Sequence, residues 1–227
     1  MRKLIIEIRF KPNLTFYKVK EDIGISLQKY FPDWRTDGLH ITFANFPIKT
    51  QCFIEFNRLA YVCEDVKDIE TQLKNFKKIY DTYTSLVKFE STKRVGVRNT
   101  IVNKIPLKYQ ELVSIFQERF FNKKNSLDSI LVKQYKDVVF SADFEKDNYD
   151  YHYLYGPVKK IEAIKRLGLN FKPDESDFDD TNSYLDIDCF SEKSIANSVV
   201  MNKLEEMQKI SDKLADESFK YLAIKQE

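Results

Sequence analysis

Two arginines flank a glycine near the middle of the chain, in the order Arg94-Val95-Gly96-Val97-Arg98. The alternation of β-forming and charged residues predicts a strand here, and both arginines would then project to the same face of it. Paired guanidinium groups bind phosphate and carboxylate oxygens well. With the neighbouring Lys93 and Lys104, they predict an anion-binding face. The alternative is an edge strand that charge keeps soluble.

Asp186 and Asp188 are a second pair of residues that could do chemistry. They alternate along one strand face, an arrangement that paired carboxylates use to hold a divalent metal at a phosphoryl-transfer site. A metal-dependent nuclease is therefore the alternative function. Two carboxylates fall short of a full ligand set, so we expect no metal. The acidic run at residues 174–180 lacks the glycine and terminal glutamate of a calcium loop, and it predicts an exposed loop.

The usual signatures of nucleotide-binding, hydrolytic and zinc-protease sites are missing from the sequence. With only five glycines in the whole chain, a phosphate-cradling loop is hard to build. The two histidines, His40 and His152, lie in strand-like runs, and a structural or surface role is expected for both. These observations predict no cofactor and favour a binding protein over an enzyme.

The formal net charge of +2 hides two blocks of opposite sign. Residues 88–136 hold 11 Lys or Arg against 4 Asp or Glu, whereas residues 137–192 hold 6 against 14. Such asymmetry would let one face attract a polyanion, or let two copies meet head to tail. The basic block, interleaved with aromatic residues and ending near Lys123 and Lys124, could follow a phosphate backbone. A solvated surface is the alternative.

Three cysteines without a close pair predict neither a disulfide framework nor a zinc site, and they fit a reducing compartment. No apolar run approaches the roughly 18 residues needed to span a bilayer. We therefore expect a cytoplasmic protein without membrane contact.

Hydrophobic periodicity predicts the same order of elements twice. In the first half, residues 4–10 read as a strand, a helix follows up to Phe31, residues 39–46 and 51–63 read as a hairpin, and residues 65–83 read as a helix. In the second half the strand region at 86–105 is followed by a helix through Phe121. Strands are predicted at 129–144, 149–155 and 184–190.

The second half ends in the longest predicted helix, residues 194–225, whose apolar stripe is broken by Ser211 and Ser218 as expected where a helix lies close to a sheet. The element order predicts an α+β fold, in which a curved antiparallel sheet is covered by helices on one face. We expect a single domain over residues 1–227, built from two repeated strand-helix-strand-strand-helix halves at about 1–84 and 85–227.

Three short stretches carry a family resemblance: Ile6 to Pro12 (IEIRFKP), Arg94 to Arg98 with Asn103-Lys104-Ile105 after it, and Tyr184 to Asp188 (YLDID) before the terminal helix. In these the chain resembles a sporadically distributed family of uncharacterised bacterial proteins. The resemblance implies no reaction and no catalytic residues. The sporadic distribution of the family suggests a role in an accessory system, such as phage defence or a toxin–antitoxin pair.

The sequence therefore favours a non-enzymatic binding module that recognises a nucleic acid or a protein through Lys93, Arg94, Arg98 and Lys104. A homo-oligomer is also compatible with the charge distribution, and the nuclease reading remains the alternative.

Overall fold

Alternating side chains give the first strand one apolar face. In β1 (Arg2–Phe10), Leu4, Ile6 and Ile8 are completely buried, whereas Arg9, between Ile8 and the buried Phe10, is exposed. The same alternation recurs across the sheet, so that most strands present an apolar face to one side and a polar face to the other.

The computed structural model describes residues 1–121 and 135–222, which form an open nine-stranded antiparallel sheet and five α-helices. The other strands are β2 (Asp33–Thr36), β3 (His40–Asn45), β4 (Thr50–Glu55), β5 (Arg58–Glu64), β6 (Thr92–Lys104), β7 (Phe140–Lys146), β8 (Tyr149–Lys159) and β9 (Thr181–Ser191). The helices are α1 (Thr15–Leu27), α2 (Ile69–Leu86), α3 (Tyr109–Phe120), α4 (Lys160–Leu167) and α5 (Val200–Leu222). The predicted α+β fold with a long C-terminal helix is confirmed.

The strand order is β2-β3-β4-β5-β1-β6-β9-β8-β7. The two central strands, β1 and β6, are the first elements of the two halves of the chain. The other strands of each half lie on the outer side of its central strand. In both halves the central strand is followed by a helix, then by strands that return toward the centre, then by a second helix that lies on the sheet. That the two halves are related repeats stays a prediction.

The first half contains two more strands than the sequence indicated. The run at 51–63 is two strands, β4 and β5, joined by the two-residue turn at Phe56 and Asn57. The short edge strand β2 has no clear alternation and was missed. The predicted strand at 129–144 starts at Phe140 where it is described, and residues 129–134 lie outside the described part of the chain, as do residues 223–225 of the predicted terminal helix.

Four helices, α1, α2, α3 and α5, cover the apolar face and complete the main core. Ser211 and Ser218 of α5 are buried against the sheet, as predicted, and the Ser218 hydroxyl lies 2.8 Å from the Tyr153 hydroxyl. A buried polar chain also ties α5 to the centre of the sheet. The Asn99 amide donates to Gln208 Oε1 at 3.2 Å, and Asn99 Oδ1 accepts from Arg2 Nε at 3.1 Å.

Among the described residues, the opposite face of the sheet, called the open face below, is covered only at one end. There the connection between β8 and β9, residues 160–180, folds back and packs α4 on a second, small apolar cluster that includes Val102, Val158 and Tyr184. The acidic run in this connection is mostly exposed, as predicted, with a short 3₁₀ turn at Glu175–Asp177.

A buried ion pair fastens this connection to the sheet. Lys3 Nζ donates to the carbonyls of Leu167 and Gly168 at 2.9 and 2.7 Å, at the end of α4. The Glu64 carboxylate lies 3.9 Å from Lys3 Nζ and accepts from the backbone N–H groups of Asn170 and Phe171 at 2.7 and 3.2 Å. The two strands β1 and β5 therefore hold both ends of the turn that follows α4.

Among the described residues, no helix has the length and apolar character needed to cross a membrane. The three cysteines, Cys52, Cys63 and Cys189, are free and buried. Burial raises the pKa of the Cys63 and Cys189 thiols to about 12.

Candidate functional site

The uncovered end of the open face lies where β1 ends and β6 begins, and it carries a pocket of about 420 Å³. Four strands contribute to its lining, because β5, β1, β6 and β9 are neighbours in the sheet. Its charged lining includes four arginines, Arg9, Arg58, Arg94 and Arg98. We call this the arginine pocket.

Glu7 is the acidic centre of the arginine pocket. Its side chain is nearly buried, its two carboxylate oxygens accept hydrogen bonds from Arg58 and Arg94, and it forms an ion pair with Arg9. Arg58 Nε lies 2.6 Å from Oε2, while Arg9 Nε and Arg94 Nη1 lie 2.8 and 2.9 Å from Oε1. One carboxylate thus holds three cations in fixed positions.

Arg94 is the most constrained of the three. Its Nη2 donates to Asp188 Oδ2 at 3.0 Å, and its guanidinium carbon lies 4.4 Å from the centre of the Phe190 ring. Gly96 makes room for this stack, because a Cβ atom there would lie 2.9 Å from Phe190 Cβ and 3.5 Å from Arg94 Nη1. The backbones of β6 and β9 therefore approach each other closely at Gly96.

Arg98 has its own carboxylate. Its Nε and Nη2 donate to the two oxygens of Asp186 at 3.0 and 2.6 Å, which is the bidentate geometry of a strong pair. The Thr100 hydroxyl donates to Asp186 Oδ1 at 3.0 Å. Asp186 is therefore fully engaged within the protein, although 45% of the Arg98 side chain is exposed.

Burial and arginine contacts act in opposite directions on the acidic groups. Burial disfavours ionisation of Glu7, but Arg58 and Arg9 together outweigh it and hold its pKa below the usual 4.5. For Asp188 burial dominates, so its pKa is raised despite Arg94 and Arg98. The hydrogen bonds from Arg98 to Asp186 raise the pKa of that guanidinium, which stays charged at any working pH.

The lowered pKa of Glu7 makes a pH-dependent contribution to stability. A carboxyl whose pKa is lower in the folded protein stabilises it above the unfolded-state pKa, and this stability is lost as the pH falls through the folded value. We expect Glu7→Gln to lower the free energy of unfolding by about 1–2 kcal/mol at neutral pH, since the arginine partners are partly solvated.

Urea unfolding at pH 7 and pH 3 checks this expectation. The difference between wild type and Glu7→Gln should shrink at pH 3, because this pH lies below the unfolded-state pKa of the carboxyl and the stabilisation is then being lost. Glu21→Gln, at an exposed position on α1, serves as the control and should show little effect at either pH. A constant difference at both pH values would contradict the role given to Glu7.

The four basic residues predicted as a binding face do not come together. Arg94 and Arg98 share the open face, as predicted. Lys93 is exposed at a register shift where Arg9 pairs with Arg94 and the next pair skips to Thr92. Lys104 is exposed at the other end of β6, about 36 Å from Lys93 at the rise of an extended strand.

The structure adds Glu7, Arg9, Arg58 and Phe190 to the site. One signal for Glu7 and Arg9 was available, because both fall on the polar side of the alternation in β1. Nothing in the sequence reveals that Arg58 joins them, since this depends on the pairing of β5 with β1.

The geometry gives little support to a metal site at Asp186 and Asp188. Asp186 and Asp188 do lie on the same face of β9, but each is hydrogen-bonded to an arginine. Within residues 1–121 and 135–222, no group of three or more His, Cys, Asp or Glu side chains is placed to hold a metal ion. His152 pairs with Asp143 on the neighbouring strand, 2.6 Å away, in an exposed position.

A larger and more open groove, about 1750 Å³, lies between the start of α3 and α4. Its basic side chains, such as Lys108 and Arg166, are exposed and are interspersed with acidic ones, such as Asp179 and Asp180. The arginine pocket is the better candidate, because buried contacts fix its charged groups in place.

No protein-family model matches the chain, and no curated protein matches its sequence significantly. The resemblance to a bacterial family therefore stays a prediction, and the function is argued from the geometry of the site.

Proposed function

We propose that the protein is a non-enzymatic binding module that takes up an acidic segment of a protein partner in the arginine pocket. The observation that carries this proposal is the convergence of Arg9, Arg58 and Arg94 on the single carboxylate of Glu7. Arg94 also pairs with Asp188 and Arg58 with Glu55, so among the described residues Arg9 is the guanidinium that depends on the shared Glu7 carboxylate, and a carboxylate from outside would pair with it.

The three arginines are already ordered by Glu7 and still reach solvent, as binding of such a ligand requires. The side chains of Arg9, Arg58 and Arg94 are 54%, 37% and 17% exposed, so each is held by Glu7 and still reaches solvent. A guanidinium group has five N–H donors and binds carboxylates in a planar fork, so donors remain for a second acceptor. Because the side chains are already ordered, less conformational entropy is lost on binding.

A protein partner suits this surface better than a nucleic acid. The basic residues of β6 are dispersed along the strand, with Lys93 and Lys104 at opposite ends, while Lys123 and Lys124 lie outside the described part of the chain. The arginine pocket instead combines arginines with the aromatic ring of Phe190. Arginine and aromatic residues are enriched at the energetic centres of protein interfaces.

The finer parts of the proposal rest on the sequence. A cytoplasmic location is proposed from the three unpaired cysteines. A role in bacterial phage defence or a toxin–antitoxin pair is suggested only by the family resemblance. The nuclease alternative has no specific observation in its favour.

Site-specific photocrosslinking in cells tests the proposal. A photoreactive residue at Glu192, on the rim of the arginine pocket, is expected to give a protein adduct, whereas one at Lys209 on the exposed side of α5 is not. The adduct should map to an Asp- or Glu-rich segment and disappear when Arg9→Ala and Arg58→Ala are combined.

Binding of labelled single- and double-stranded DNA and RNA across a salt series supplies the opposing test. A polyanion site would bind at low salt and weaken steeply as salt rises. Strong, salt-sensitive nucleic-acid binding that needs Arg9 and Arg58 would overturn the protein-partner proposal. An adduct from Glu192 that persists in the double variant would also overturn it.

A further inference from the structure

Among the described residues, a helix covers one end of the open face and not the other. At the end where β1 starts and β6 finishes, the long connection between β8 and β9 supplies α4 as a cover. The equivalent connection in the first half joins β4 to β5 at the other end, where β1 finishes and β6 starts. It has only two residues, Phe56 and Asn57. The arginine pocket thus lies at the position that α4 occupies in the other half.

The covered end shows what holds a helix on this face. Ala163 and Leu167 of α4 are buried against the small apolar cluster, and Lys3 fastens the last turn through two backbone carbonyls. Apolar contact and a cation from β1 therefore act together.

The uncovered end of the open face offers the same two kinds of contact, a cation and apolar surface. Arg9 and Arg94 face each other across β1 and β6 near one end of these strands, just as Lys3 and Thr100 do near the other. The half-buried side chains of Ile5 and Phe190 line the same pocket and supply apolar surface.

We infer that the acidic partner segment is a short helix of about two turns, which lies in the arginine pocket as the counterpart of α4. This inference rests on the proposed function. Acidic side chains three or four positions apart project from one side of a helix, about 5–6 Å from each other. They would meet Arg9 and Arg58, which face each other across β1 and β5 and both pair with Glu7.

A second copy does not supply its own α4 as this helix. Lys160, Lys165 and Arg166 make α4 basic, and they would repel the arginines of the pocket. The helix therefore belongs to another protein whose contacting face carries Asp or Glu.

Fluorescence anisotropy with designed peptides tests the inference. The probe is a labelled, stapled peptide of about three helical turns, built from Ala and Leu with Glu at i, i+4 positions, because unstapled peptides of this length are barely helical. The control peptide has the same charge but no staple and a central Pro-Gly, which prevents a helix. A third peptide has Lys in place of Glu.

We expect the helical acidic peptide to bind at least about tenfold more tightly than the Pro-Gly peptide, and the Lys peptide not to bind. Arg9→Ala combined with Arg58→Ala should weaken binding by about tenfold or more. Arg35→Ala combined with Lys209→Ala removes the same charge from exposed positions elsewhere and should leave binding unchanged. Circular dichroism of each variant confirms that it is folded.

The outcomes separate this inference from the proposed function. Equal binding of the helical and Pro-Gly peptides, lost in the Arg9 and Arg58 variant, would overturn the helix and keep an acidic protein segment as ligand. Failure of both acidic peptides to bind would overturn both. Equal losses in the arginine variant and its control would show that net charge alone governs binding, and would also overturn both.

Discussion

Replacing Glu64 by alanine is expected to lower the free energy of unfolding by about 3–5 kcal/mol, which is the usual cost of removing one partner of a buried ion pair. The Lys3 and Glu64 side chains are only 8% and 1% exposed. In the variant the Lys3 ammonium group would be left buried without its anion. The N–H groups of Asn170 and Phe171 would lose their acceptor as well.

The loss should be visible both globally and locally. Urea unfolding measures the total loss of unfolding free energy. Relative to wild type, hydrogen exchange in the variant should speed up more in α4 and in residues 168–171 than elsewhere. Glu70→Ala removes one carboxylate of an exposed ion pair with Lys74 and should cost about 0.5 kcal/mol or less. Similar losses from both substitutions would contradict the role given to Glu64.

A double variant distinguishes the ion pair from the packing around it. Lys3→Met combined with Glu64→Leu removes both charges and leaves apolar groups of similar size. We expect it to be more stable than Glu64→Ala alone, because neither charge is then buried without a partner.

The second large effect is expected from Gly96→Val, which should lower the free energy of unfolding by about 3 kcal/mol. The first side-chain atom would lie 2.9 Å from Phe190 Cβ, an atom fixed to the backbone of β9, so β6 and β9 must move apart. The same atom would crowd the Arg94 guanidinium, and Arg94 should lose its position on the Phe190 ring.

Gly38→Val is the matched control, because a Cβ atom at Gly38 would have no neighbour within 4 Å. Denaturant unfolding should separate the two variants clearly. Gly96→Ala, with a smaller loss, is suited to the peptide-binding assay and should bind the helical acidic peptide more weakly than wild type. Wild-type stability in Gly96→Val would show that the close approach at Gly96 is dispensable.

The fold was largely predictable because it depends on short-range patterns. Alternation in β1 and in residues 184–190 of β9, and helical spacing in α2 and α5, each appear within one stretch of chain. The extra strands were hidden for equally local reasons. The turn at Phe56 and Asn57 contains neither glycine nor proline, so β4 and β5 read as one run.

The site was only partly predictable because its chemistry depends on register. The sequence placed Arg94 and Arg98 on one face, but it could not show that Glu7 lies beside the first and Asp186 beside the second. Those carboxylates are 87 and 88 residues away along the chain. Without them the arginines resembled a polyanion site, whereas the pairing makes an ordered pocket of mixed charge.

The central position of β1 also has a consequence for synthesis on the ribosome. The strands β1 to β5 pair only with one another, apart from the second edge of β1, so the first half can assemble before β6 has been made. Until then β1 is an uncovered edge strand rich in apolar residues, a template for pairing with other chains. A nascent chain stalled at this stage should be a target for chaperones.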